Sequence, residues 1–455
     1  MRNWLPIHGY QSYMRMRRTG LLRASPPKIL ALGFFALIAL GTLLLYLPIS
    51  ARHPLDLLSA FFMASSAVTI TGLAVVDPAI DLTQFGQIVL ISLVQLGGLG
   101  YVTFAVVSAI TLGKRMSLRH QALALEAFNQ TSVSKLRQTA FSVLRISLVI
   151  EIIAAAILAL WWAREYPWPT AIYRGIFHAI AAFNNSGFSL FPNSLAQFVS
   201  DPVTVLTITF AIMLGGLGFT VISDIWRKRR WSRLQPYTRI MVLGTVILNL
   251  VGFTAIWILE YGNANTLGGL TWDGQALAAW MQTITTRTAG FSTIDVNRMH
   301  DSSALIMMLL MFIGGGSLSL SSGIKLGTFI VLLAAARSYI FQRAEVVLLK
   351  RAIAPQTVQK ALALLLVSAG LVFAGTLIMT IFEKAHFVDI LFEVIAAVST
   401  TGLSRGITPS LSGPSQLLLV ALMFAGRIGP LTLVYSIATQ QRSRVRYPEA
   451  DFQVG

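Results

Sequence analysis

The nine residues SSAVTITGL, 65–73, close a short apolar segment with a small residue, a glycine and a bulky apolar residue. The same ending returns as FNNSGF at 183–188, RTAGF at 287–291 and STTGL at 399–403. The glycines Gly72, Gly187, Gly290 and Gly402 lie 103 to 115 residues apart, too far for a solenoid and suited to a unit of several membrane segments. Four equivalent glycines predict one ring around one axis. Carbonyl oxygens aimed at such an axis can replace the water a cation sheds on entry, and glycine permits the positive-φ turns and close approach this requires.

Outward from these turns the chain is apolar almost throughout. Of 455 residues, 55% are hydrophobic and only 12% charged, against about a quarter in soluble domains. The mean hydropathy is +0.70. This is the composition of one polytopic membrane domain. The absence of cysteine excludes disulfides, thiolate metal sites and a thiol nucleophile. The arginine-rich first 28 residues lack an early apolar core and a small-residue cleavage site, so no cleaved signal peptide is expected.

Eight stretches are long enough to cross a ~30 Å hydrocarbon core: 29–49, 86–112, 142–163, 203–225, 239–259, 304–336, 361–382 and 415–438. Shorter apolar segments at 55–67, 170–183, 275–287 and 387–399 lie between the members of each pair. The expected fold is an all-α polytopic membrane protein of four helix–pore-loop–helix repeats, eight transmembrane helices and four re-entrant half-helices around a pseudo-fourfold pore. Irregular backbone at membrane depth is tolerated where it lines a water-filled path. The alternative is twelve crossings.

Charge placement favours eight. Lys and Arg cluster in the amino-terminal arm, at Lys114–Arg137, at Arg227–Arg233, at Arg343–Lys360 and at Arg442–Arg446, and eight crossings put all five clusters on the cytoplasmic side. The resulting boundaries are a basic arm at 1–28, repeats at 29–113, 139–226, 238–337 and 359–438, and a cytoplasmic tail at 439–455. The net charge of +17 is spread over membrane-flanking loops, which points to topology and anionic lipid headgroups and not to nucleic acid.

The combination of SSAVTITGL, FNNSGF, RTAGF, STTGL and GRIGPLTL at 426–433 resembles the membrane subunits of the Trk/Ktr/HKT superfamily of potassium transporters, most closely the bacterial Ktr type. That resemblance implies a single-chain pore in the bacterial plasma membrane, assembled as a homodimer on a cytoplasmic nucleotide-binding regulatory ring. It also implies K+ as the transported ion and Na+ as a candidate activator. Some sodium-permeable relatives carry serine at the first filter position, whereas Gly72 keeps all four as glycine. The candidate filter residues are Thr69, Ile70, Thr71 and Gly72; Asn184, Asn185, Ser186 and Gly187; Thr288, Ala289 and Gly290; and Ser399, Thr400, Thr401 and Gly402. Side chains such as Asn184, Asn185, Thr69, Thr71 and Thr401 are read as holding the turns by hydrogen bonds. The half-helix carboxyl ends add partial negative charge facing the cation.

A second fourfold pattern follows the turns: GGLG at 97–100, GGLG at 215–218, GGGS at 314–317 and GRIG at 426–429. In register, Arg427 replaces Gly98, Gly216 and Gly315, near the bilayer midplane where an arginine is costly. It reads as an electrostatic barrier below the filter, the alternative being a buried pair with Glu151. The sixth stretch is interrupted by GGGSLSLSSG at 314–323, which reads as an intramembrane gating loop, 314–325, resembling that of the family. Its candidate residues are Gly314, Gly315, Gly316, Ser317, Ser319, Gly323 and Lys325, with Leu318 and Leu320 as a hydrophobic plug; the alternative is a Gly/Ser packing patch.

Arg287 is expected to brace the third turn through an ion pair, with Asp295 or Glu393 as partner. His178 is expected to be packed and hydrogen-bonded, since the histidines lack metal-ligand spacing. No HExxH, GxSxG or phosphate-binding loop argues for an enzyme, and no tightly bound cofactor is expected. A secondary transporter with a midplane site is the other class that discontinuous helices allow. Four repeats of one orientation favour a pore.

Overall fold

Short apolar runs bounded by Pro or an acidic residue form helices that stop at membrane depth. In the computed structural model, which describes residues 26–111 and 133–429, four such helices are buried along half or more of their length: α2 (Leu57–Val68), α5 (Trp168–Phe183), α9 (Trp272–Thr285) and α13 (Phe387–Val398). At 1.5 Å per residue, the 12 residues of α2 or α13 reach about 18 Å, short of a crossing. Asp56 caps α2 by accepting from Ser59 N at 3.3 Å, and its hydrogen bond with the Ser59 side chain holds the carboxyl below the usual carboxylate range. Thr69, Asn184 and Ser399 cap α2, α5 and α13 at the other end.

Longer helices flank these four. α1 (Pro26–Tyr46) and α3 (Gln84–Thr111) hold α2 between them, and α4 (Val133–Trp162) and α6 (Pro202–Leu217) hold α5. α8 (Pro236–Glu260) packs on α9 and on α10 (Asp301–Phe312). After α11 (Leu326–Ile340), α12 (Pro355–Phe382) and α14 (Gly413–Ile428) enclose α13. Each unit then touches the next. α3 packs on α5, α6 on α9, α10 on α13, and α14 returns to α2, a closed cycle.

The outer helices turn apolar side chains outward: Phe35, Leu43, Ile152, Leu160, Ile258, Leu366, Phe373 and Ile381 are all exposed. An apolar band of this extent fits lipid and not water. Trp168 and Trp272 are exposed at the amino ends of α5 and α9, and Trp226 and Trp231 are exposed beside the basic stretch 227–233. Among the described residues, Ala140–Trp162, Pro236–Glu260 and Pro355–Phe382 are single helices long and apolar enough to cross a membrane, and a bent pair makes a fourth.

That bend corrects the expectation of unbroken spans. The 86–112 stretch kinks at Gly100 (φ 76°), and 203–225 breaks at Gly218 (φ 103°) into α6 and α7 (Phe219–Lys228), which meet at 99°. The described part of 415–438 ends at Gly429 (φ 94°), and 304–336 is α10, an irregular segment and α11. These breaks fall at the last position of the GGLG, GGLG and GRIG sequences, so the second fourfold pattern marks where helices stop.

Among the described residues, one hairpin departs from all-α. Between α11 and α12, β1 (Val347–Leu348) pairs antiparallel with β2 (Arg351–Ala352), joined by Leu349 (φ 45°) and Lys350 (φ 62°), the handedness a two-residue hairpin turn needs. Lys114, Arg115 and Arg119, the first 25 residues, and everything beyond Gly429, including the basic tail, lie outside the described residues.

Candidate functional site

Three of the four half-helices end alike, and the third, α9, closes with Ala289 N donating to Thr285 O at 2.9 Å. In α2, Ile70 N donates to Ala67 O at 3.0 Å and Thr71 N to Ser66 O at 2.8 Å. Asn185 and Ser186 repeat this on Ala182 and Ala181, and Thr400 and Thr401 on Ala397 and Ala396. This is the Schellman closure, which normally places glycine at the left-handed position. Here that position is held by Ile70 (φ 52°), Asn185 (φ 58°) and Thr400 (φ 49°), with Thr288 (φ 66°) in the third turn. Left-handed backbone costs an L-residue about 1–3 kcal/mol and persists only where its surroundings over-determine it. Two residues later comes the glycine, again at positive φ: 91° at Gly72, 71° at Gly187, 81° at Gly290 and 82° at Gly402.

The turns meet in chain order. A Cβ on Gly72 would fall 2.0 Å from Ser186 O, on Gly187 2.8 Å from Ala289 O, on Gly290 2.6 Å from Thr401 O, and on Gly402 2.0 Å from Thr71 O. No side chain fits at these positions, and the four glycines form a closed ring.

The side chains of the first and fourth turns are self-contained. Thr69 Oγ1 donates to Ser65 O at 2.7 Å and lies 2.8 Å from Thr71 Oγ1; Ser399 Oγ donates to Ile395 O at 2.6 Å and lies 2.8 Å from Thr401 Oγ1. Gly72 N donates to Ser66 Oγ at 3.0 Å. The second turn is braced from outside. Asn184 Nδ2 donates to Ile180 O at 2.9 Å and to Gln95 Oε1 at 2.6 Å, while Gln95 Nε2 donates to both Glu151 oxygens at 3.0 Å. Sequence reasoning missed Gln95, whose signal is a lone amide in an apolar helix.

The third turn differs most. Arg287, buried, has no carboxylate partner among the described residues: Nη2 donates to Gly314 O at 3.1 Å and Nη1 to Asn249 Oδ1 at 3.5 Å. The expected ion pair is therefore overturned. Asp295 pairs with Arg298 at 3.2 Å, and Glu393 accepts from Ser404 Oγ and from Thr408 Oγ1 at 2.9 Å. The reason is geometric: Asp295 lies in the loop beyond the third turn and Glu393, on α13, is turned to Ser404 and Thr408, while the guanidinium points back toward residue 314. His178 is buried and hydrogen-bonded, with Nε2 accepting from Leu190 N at 3.3 Å and Nδ1 2.8 Å from Arg174 O.

Residues 313–325 lie under the turns. Broken helices leave carbonyls without helical partners, and the loop uses them. Gly316 N donates to Gly216 O at 2.8 Å, Leu320 N to Gly215 O at 3.1 Å, and Phe219 N to Leu318 O at 3.0 Å. Gly314 N donates to Ile324 O at 2.8 Å, which closes the neck of the loop, and Gly323 turns at φ 68°. Gly315 has no room for a Cβ, which would fall 2.4 Å from Gly216 O. Ser317 N donates to Tyr237 Oη at 3.3 Å, and Ser319 Oγ to Gly316 O at 2.6 Å. Leu320 is buried and Leu318 is left-handed at φ 56°. Lys325 Nζ donates to Ser321 O.

Arg427 reaches this loop from α14. Nη1 donates to Leu320 O at 2.7 Å, and Nη2 to Gly97 O at 2.8 Å and Gly98 O at 3.1 Å, two carbonyls beside the Gly100 kink. The alternative pair with Glu151 does not form, because that carboxylate is turned to Gln95 and Asn184.

The TrkH family model, described as a cation transport protein, matches residues 25–446. The chain belongs to the TrkH family. The family is one of transporters. A Ktr system potassium uptake protein B of Bacillus subtilis (strain 168) is 43% identical over 434 residues, covering 95% of this chain and 98% of that one. A protein of the same name from Vibrio alginolyticus is 40% identical, covering 94% of each. The crystal structure of the potassium transporter TrkH from Vibrio parahaemolyticus superposes with a TM-score of 0.73 at 20% identity, covering 92% of this chain and 86% of that one. That likeness establishes the polytopic helical fold this TrkH-family chain shares.

Proposed function

We propose that this chain is the membrane subunit of a potassium uptake system, passing K+ through a channel-like pore whose filter is the ring at Gly72, Gly187, Gly290 and Gly402. The single observation that carries the reading is the closed ring in chain order, each glycine facing the carbonyl of the next turn. Replacing the hydration shell of a monovalent cation needs convergent oxygens in a fixed ring. The carboxyl ends of α2, α5, α9 and α13 approach these turns, and each helix end carries about half a negative charge. The relatives named for potassium uptake supply the ion class.

In this reading the four helix–turn–helix units span the plasma membrane eight times with both termini cytoplasmic. Loop 314–325 is the gate, and Arg427 beneath the ring is a fixed cation that keeps ions from resting there. A homodimer on a cytoplasmic nucleotide-binding ring, with Na+ as activator, completes the expectation. The basic linkers Arg227–Arg233 and Arg343–Lys360 are its docking surface.

The test is K+ against Na+ uptake by purified protein in liposomes, with each ring glycine changed to serine. Uptake of K+ that each substitution abolishes supports the filter. Uptake that survives all four sinks it. Reversal potentials set by the K+ gradient alone separate a pore from a coupled transporter with a midplane site.

A further inference from the structure

The tie between loop and turns passes through one hydroxyl that the sequence reading left unassigned. Ser321, 1% exposed, has Oγ 3.0 Å from the Asn185 amide and 3.4 Å from Arg287 O. With the Asn185 nitrogen turned to the carbonyls of Ala182, Phe183 and Ile212 at 3.2, 3.2 and 3.3 Å, its oxygen accepts from Ser321 Oγ and the amide is fully paired. A hydroxyl has one proton, so the nearer Asn185 takes it and Arg287 O is the alternate acceptor. Ser321 is also fixed sterically: a Cβ on Gly216 or Gly315 would fall 2.9 or 2.7 Å from its oxygen.

These partners are not arbitrary. Asn185 is the left-handed residue of the second turn, and Arg287 directly precedes Thr288, the left-handed residue of the third. A strained backbone holds one position only while its neighbours leave no other, and one neighbour of both turns is the same loop serine. The first and fourth turns have their hydroxyl pairs instead.

We infer that Ser321 is a specificity-determining positioning residue: its hydroxyl ties the second turn to the loop, with Arg287 O of the third turn as its alternate acceptor, so ion discrimination depends on the loop as well as on the ring. The inference rests on the pore reading above. Without this contact the carbonyls of the second turn gain positional freedom and accommodate the smaller Na+. Loop displacement then loosens the same turn, which couples opening to selectivity.

The experiment measures initial K+ and Na+ uptake by the full chain in liposomes, with thermal unfolding of each variant. Ser321→Ala is expected to lower the K+/Na+ ratio about five-fold, the scale of one lost hydrogen bond. Asn185→Ala lowers it similarly, and the double variant falls no further than the lower single, because both remove one contact. Thr380→Ala, whose hydroxyl bonds to Leu377 O on the exposed face of α12, keeps the parental ratio. A parental ratio in folded Ser321→Ala, or additive losses in the double variant, overturns the inference. If Ser321→Ala does not fold, Ser321→Cys decides, with an intermediate ratio in support and a parental ratio against. Unmutated protein that takes up neither ion fails the pore reading itself, and the inference with it.

Discussion

The first and fourth turns of the ring hold themselves, whereas the second and third lean on the rest of the molecule. Thr69 with Thr71 and Ser399 with Thr401 form matching hydroxyl pairs over matching helix ends. Asn185 and Arg287 instead reach Ser321 and Gly314 on the loop. One ring thus contains two turns whose geometry is local and two whose geometry is conditional on a segment more than a hundred residues away in the case of Asn185. A site built this way can change two of its four sides without changing the others.

Breaking the ring itself has the largest expected effect. Gly72→Ser and Gly402→Ser put a Cβ 2.0 Å from a neighbouring carbonyl oxygen, and K+ uptake in liposomes should fall by about 100-fold or more. Gly187→Ser and Gly290→Ser meet their neighbours at 2.7 and 2.6 Å, and should retain more residual flux than the other pair.

Next is the conditional half. Arg287→Gln removes the charged donor to Gly314 O, a bond of the class worth 1.5–3 kcal/mol, and should raise partner-independent K+ flux roughly ten-fold as the loop neck loosens. Deleting 316–323 should raise it at least as far. Unchanged flux in well-inserted protein would mean that the third turn does not depend on the loop.

Arg427→Ala tests the cation below the ring. It frees Leu320 O, Gly97 O and Gly98 O together, so both the uptake rate and its dependence on K+ concentration should change, by about three-fold or more. If neither moves, the barrier role is abandoned.

The smallest effect belongs to the self-contained half. Thr401→Val keeps shape but deletes the Ser399 pair, at a cost of about 1 kcal/mol, visible as a lower unfolding temperature with a K+/Na+ ratio within about two-fold of the parent. A loss of selectivity as large as that of Ser321→Ala would erase the contrast between the two halves.

Much of this was legible in the chain because the determinants are local. Short apolar runs closed by a glycine describe where α2, α5, α9 and α13 stop, four or five residues before it. Hydropathy could not reveal the breaks themselves, since the residues on either side of Gly100 and Gly218 are equally apolar. Nor could it reveal that Ile70, Thr288 and Thr400, all β-branched, take the left-handed position, because local preference argues against it and only the packed ring enforces it.

The sequence by itself determined the membrane class, the four turns and the register that sets Arg427 opposite three glycines, because composition, spacing and the glycine requirement are properties of a chain. The tertiary structure decided the partners. Arg287 found a carbonyl in place of an acid, Arg427 found the ends of a broken helix, and Ser321 came to stand between two turns. A buried polar group must be satisfied by whatever folding brings within 3 Å, and that neighbour is fixed only when distant segments meet.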